Sequence, residues 1–111
     1  MIERHWTAIA KPAEADRYIE HLATETFPQL EELDGFLAAT ILSRPVAKGT
    51  EFLVVTVWAS LDSIRQFSGE PVETAVVPDK VQAMMVEFDR EARHYQQKLR
   101  NNRVSHPAPG Y

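Results

Sequence analysis

The chain has 111 residues, no cysteine and a formal net charge of −4. That length suits one domain, and 44% hydrophobic residues supply a core that needs no disulfides. The missing cysteines exclude thiol redox work, thiolate metal sites and cysteine nucleophiles and fit a reducing cytoplasm, while the acidic balance argues against phosphate-backbone binding. No stretch approaches the ~18 apolar residues of a membrane span.

Ile2–Ala10 has β-branched and aromatic residues in rough alternation and stops at Lys11-Pro12, which predicts a strand. Pro12 suits the first position of a helix, and Glu14 and Asp16 put negative charge at the positive end of its dipole. Ala15, Ile19, Leu22, Ala23, Thr26 and Phe27 recur at three-to-four-residue spacing and predict one buried stripe. Pro28, without an N–H, predicts a break or kink, then a further turn with Leu30 and Leu33 and a stop at Asp34-Gly35.

Residues 36–43 (FLAATILS) predict a second strand, 44–50 a turn, and 52–58 (FLVVTVW) a third strand that is apolar on both parities. Phe52, Val54 and Trp58 share one side; Leu53, Val55 and Val57 share the other. Ser60 is an N-cap candidate for a helix with Leu61, Ile64 and Phe67 inward and Gly69 at its end. Pro71 and Pro78 punctuate residues 72–77 and 79–85, both read as short helical turns; 90–98 (REARHYQQK) reads as a fourth, more polar strand. Residues 1–98 then form the domain, and 99–111, with His106, a tail.

Strand, helix, strand, strand, helix, strand is the α+β, ferredoxin-like βαββαβ order, an antiparallel sheet with both helices on one face. The other face is apolar and bare. A second copy of the chain laid against it is the simplest cover, so a homodimer through the sheet face is expected.

Three stretches, TETFPQLEELDGFLAATIL (24–42), FLVVTVWASLDSIRQF (52–67) and AVVPDKVQAMMVEFDREARHY (75–95), resemble the antibiotic biosynthesis monooxygenase domains of the dimeric α+β barrel superfamily. The resemblance implies a barrel formed by two sheets and, in each subunit, a pocket between sheet and helices. It implies either oxygenation of a phenol or quinol by O₂ without metal or flavin, or haem degradation; a non-catalytic dimer that binds a ligand is the alternative.

TVWAS (56–60) matches the family's third-strand tryptophan segment, which makes Trp58 a candidate stacking surface for an aromatic or quinone-like small molecule; the same ring also reads as plain core. Phe67 and Met85 are further candidate pocket walls. Haem degradation fits less well, because GEPVETAVVP (69–78) lacks the histidine that branch uses and His5 falls where it has asparagine. Cofactor-free oxygenation needs a base, and histidine suits neutral pH. His94 is the first candidate and His5, on the first strand, the second. Neither has a carboxylate marked by the sequence, since Asp89 and Glu91 differ in strand parity from His94. His21, beside the main helical stripe, reads as solvated. No histidine pair has metal-ligand spacing, so no metal is expected, and the resemblance implies oxygenation without a cofactor.

Overall fold

A computed structural model describes residues 1–103. Strand β1 (Ile2–Ala10) begins where alternation predicts it and occupies the centre of the sheet. Strand β2 (Phe36–Val46) and β3 (Gly49–Trp58) form an antiparallel hairpin joined by a two-residue turn, with Val46 opposite Gly49. The hairpin is longer than predicted. Pro45 is tolerated within it because β2 is an edge strand, and Arg44 donates from Nε to Glu51 Oε1 across the pair at 2.6 Å.

The strand order is β2-β3-β1-β4, with β5 also paired to β1. The last strand, predicted over 90–98, is the shorter β5 (Arg93–Gln96), paired with the beginning of β1, and a strand not predicted, β4 (Met85–Phe88), precedes it and pairs with the end of β1. Between them the chain turns its hydrogen bonds outward. Arg90 O accepts from Ala75 N and Glu73 O from Ala92 N, so residues 72–77, expected as a helical turn, are instead docked alongside 90–92. The helical turn predicted for 79–85 shortens to α4 (Asp79–Gln82). The ferredoxin-like α+β order stands. The tail assigned to 99–111, including His106, lies mostly outside the described residues.

The first helical rod starts as a 3-10 turn (Pro12–Glu14), becomes α1 (Ala15–His21), widens to a π-helical turn (Leu22–Thr26) and ends as α2 (Phe27–Glu31). Pro28 explains the widening: it has no N–H for the carbonyl four residues back, and the turn before it opens so that Phe27 N–H donates to Leu22 O. One residue of phase is absorbed there. The buried stripe is Tyr18, His21, Leu22 and Leu30, whereas Ile19 and Ala23, predicted inside, are exposed. Tyr18 earns its inward position by meeting Phe52 edge-on at 5.1 Å.

Ser60 caps α3 (Leu61–Ser68) by accepting from Ser63 N at 3.2 Å, and Gly69 ends it with φ 71. Ile64 is fully buried, Phe67 partly, and Leu61 lies outside the inner stripe. Gly35 ends the first rod at φ 85, where a Cβ would fall 2.0 Å from Ser63 Oγ, so both conformation and space require glycine. Along β3, Phe52, Val54, Thr56 and Trp58 are buried under the helices. The opposite face shows half-exposed Leu53, Val55 and Val57, together with exposed Leu37, Leu42 and Tyr95.

Candidate active site

A cavity of about 70 Å³ lies between the helix-facing side of the sheet and the first rod. Alternation aims Arg4 and Trp6 from β1 and Val54 and Thr56 from β3 toward it, and register sets Arg4 opposite Thr56 and Trp6 opposite Val54. Tyr18, His21, Leu22, Thr26, Phe27 and Leu30 come from the rod, Phe67 from α3, and Ala75, Val76, Pro78 and Val81 close the remaining side.

Arg4 is a cation in the core, only 5% exposed. Its Nη1 donates to Val72 O at 2.7 Å and to His94 Nε2 at 2.8 Å, and its Nη2 donates to Thr74 O at 2.8 Å. All three acceptors are neutral. The guanidinium also lies 5.8 Å from the Phe67 ring centroid. Burial lowers its pKa to about 10, partly opposed by Glu73, which leaves it charged at neutral pH.

His94 sits opposite Arg4 on β5 and is not among the residues that line the cavity. An arginine only donates, so His94 Nε2 must be the unprotonated nitrogen that accepts. Burial first and Arg4 second hold its pKa below the usual histidine value.

His21 is 8% exposed, contrary to the solvated position expected for it, and lines the cavity. Its Nδ1 is 3.1 Å from Glu25 Oε2, and its Nε2 is 3.2 Å from Thr26 Oγ1. Glu25 in turn accepts from Lys80 Nζ at 2.8 and 2.6 Å. Lys80 and then His21, by hydrogen bonding, hold the Glu25 carboxyl below its usual range.

The other expected site residues separate. Phe67 lines the cavity. Trp58 is fully buried one layer behind it, stacked on Phe67 at 6.3 Å and 23°, with Phe36 edge-on at 5.3 Å. Its Nε1 donates to Thr56 Oγ1 at 2.8 Å, so it orients a cavity hydroxyl. His5 points to the bare sheet face, 2.9 Å from Glu3 Oε1 and 4.9 Å from the Tyr95 ring. Met85 packs in the core around Ala10 and Phe52, away from the cavity lining.

Arg4, Trp6, Tyr18 and His21 were the residues missed. Arg4 carried a readable signal, a charge at the same parity as Ile2, Trp6 and Ala8. For His21 the signal was its helical spacing, three residues after Tyr18 and four before Glu25. Among the described residues, no group of three or more His, Cys, Asp or Glu is arranged to hold a metal, and no helix is long and apolar enough to cross a membrane.

Several solved structures share this architecture. A candidate antibiotic biosynthesis monooxygenase from Bacillus cereus superposes with a TM-score of 0.65 at 16% identity, over 95% of this chain and 98% of that one. The haem-degrader MhuD of Mycobacterium tuberculosis, with two haems bound in its active site, gives 0.58 at 20% identity over 92% and 100%. The ActVA-Orf6 monooxygenase of Streptomyces coelicolor, in complex with nanaomycin D, gives 0.58 at 16% over 95% and 92%. No curated protein sequence matches. The family model for antibiotic biosynthesis monooxygenases matches residues 1–79, well over half of the sequence, and the chain belongs to that family.

Proposed function

We propose that this protein is a cytoplasmic homodimer that oxygenates a phenolic or quinol-type ring with O₂ alone, in the cavity beneath the first helical rod. One observation carries the reading: Arg4, a buried cation with only neutral acceptors, at the wall of a cavity otherwise built mainly of aromatic and aliphatic side chains. A fixed positive charge out of water favours the deprotonated form of a bound hydroxyl, and that electron-rich anion is the form that reacts with O₂. Apolar walls of Trp6, Phe27 and Phe67 suit the ring.

For an anthrone-type substrate the balance is as follows. A proton leaves, the anion's electrons reduce O₂ as a C–O bond forms, and the resulting peroxide takes up a proton. Loss of the remaining hydrogen on that carbon breaks the O–O bond, so a CH₂ becomes a carbonyl and the second oxygen leaves as water. His94 holds Arg4 in position by accepting from it, a role that needs the imidazole neutral.

The test is oxygen uptake with a panel of hydroquinones and anthrones. Turnover by the wild type, reduced at least about 100-fold in Arg4→Met, is the expected result for loss of an oxyanion-stabilising group. Absence of turnover with every substrate would favour a non-catalytic ligand-binding dimer. The small cavity supports that rival, since small-molecule sites usually span at least ~300 Å³ and a multi-ring ligand would require residues 75–78 to move outward. Haem is a poorer fit: both imidazoles near Arg4 are engaged, His21 at both nitrogens and His94 at Nε2.

Support for the dimer comes from the bare sheet face, where Leu37 and Leu42 are each about half exposed beside Leu53, Val55 and Val57. Sedimentation velocity should give a dimer for the wild type and a monomer for Val55→Asp. A monomeric wild type at micromolar concentration removes that part of the proposal.

A further inference from the structure

We infer that His21 is the proton-transfer residue of this site, and that Glu25 and Lys80 connect it to solvent. The inference rests on the oxygenation reading above, which requires that a substrate hydroxyl lose a proton.

His21 forms part of two walls at once. On its inner side it lines the cavity with Arg4 and Tyr18; on its outer side it borders a polar surface pocket with Glu14, Arg17, Glu20, Glu25 and Lys80. Its two nitrogens divide the same way. Nε2 meets Thr26, a cavity residue, and Nδ1 meets Glu25, a residue of the outer pocket. Beside a carboxylate, Nδ1 carries the hydrogen and donates it, which leaves the Nε2 lone pair on the cavity side, accepting from the Thr26 hydroxyl. An imidazole oriented by a carboxylate, with its lone-pair nitrogen toward the substrate space and occupied only by a hydroxyl that a substrate O–H can displace, is the arrangement of a general base.

The π-helical turn makes this possible. In a regular α-helix residue i+5 has rotated well away from residue i, whereas the wider Leu22–Thr26 turn returns Thr26 to the face of His21. Glu25 and Thr26 therefore both reach the same ring. His94 offers no equivalent: protonating its Nε2 means giving up Arg4.

In the step, the substrate O–H breaks, its electron pair stays on oxygen beside Arg4, and the proton moves to His21 Nε2, giving an imidazolium paired with Glu25. The proton is returned to the peroxide or passed through Nδ1 to Glu25 and water. The charges that set its pH response are Glu14, Arg17, Glu20 and Glu25 from its own rod, Lys80 from α4, and Arg4 and Tyr18 across the cavity.

Two measurements test this. In oxygen uptake, His21→Gln should lose about 100-fold or more in kcat with little change in KM, lose the acidic limb of the pH profile, and regain part of its rate with added imidazole. Glu25→Gln, on an exposed site, should fold normally and show a smaller loss with a displaced limb. Should the wild type turn over while His21→Gln stays within about threefold of it, the assignment is overturned and the oxygenation stands. Should the wild type not turn over, the assignment is decided by anaerobic binding of 4-nitrophenol. The wild type should then bind the coloured phenolate without releasing a proton to a weakly buffered solution. Phenolate bound with stoichiometric proton release, or only neutral nitrophenol bound, overturns it.

Discussion

His94 bonds to the buried Arg4 and His21 lines the same cavity as that arginine, yet the partners of the two histidines have opposite charge. His94 faces the guanidinium of Arg4 at 2.8 Å, and His21 faces the carboxylate of Glu25 at 3.1 Å. Burial, and then the cation at Nε2, make protonation of the His94 imidazole costly. On the proposed reading, the position beside the anion-stabilising group is the wrong place for a base, because what stabilises an oxyanion repels an imidazolium. The two tasks then fall on different elements, β1 with β5 for one and the first rod for the other.

The comparison breaks most visibly at Arg4. Arg4→Met leaves Val72 O, Thr74 O and His94 Nε2 without their donor, a loss on the order of 3 kcal/mol that urea unfolding would register. In the same variant the His94 imidazole resonance should titrate at higher pH, because the neighbouring cation is gone. A His94 titration that does not move would show that Arg4 does not govern it.

A smaller effect concerns acid stability. The unfolded His94 titrates near ~6.5 and the folded one lower, so below that value the unfolded chain binds more protons than the folded one. Stability attributable to this group is therefore complete above the unfolded value. It declines as pH falls and levels off beneath the folded value. His94→Gln should flatten that part of the curve, and a slope that persists in the variant assigns it to another group.

The smallest effect is expected at Lys80→Ala. Its ion pair with Glu25 is solvent-exposed, so the thermal midpoint should barely move. Oxygen uptake should nevertheless respond through His21, since the carboxylate that orients the ring loses its anchor. A large change in stability with unchanged uptake would make the pair a structural brace instead.

Much of the fold was legible. β1 follows from alternation ended by a proline, the α3 cap from Ser60, and the two apolar parities of β3 from residues 52–58. These features are set by neighbours in the chain. The phase of the first helical stripe was not, because the π turn that shifts it answers jointly to Pro28 and to where Tyr18 finds Phe52. The last strand starts later than predicted for a similar reason: 90–92 exchange hydrogen bonds with 73–75, a partnership that no local pattern announces.

For the site, the sequence singled out aromatic, histidine and methionine residues by type, and only Phe67 of those five candidates reaches the cavity. Trp58 and His94 support it from behind, through Thr56 and Arg4. By itself the sequence determined the family, the α+β class, the sheet's two apolar faces and the absence of any thiol. Tertiary structure alone decided which ionisable groups meet, because burial and the sign of a charge a few ångströms away depend on residues up to ninety positions apart, as Arg4 and His94 are.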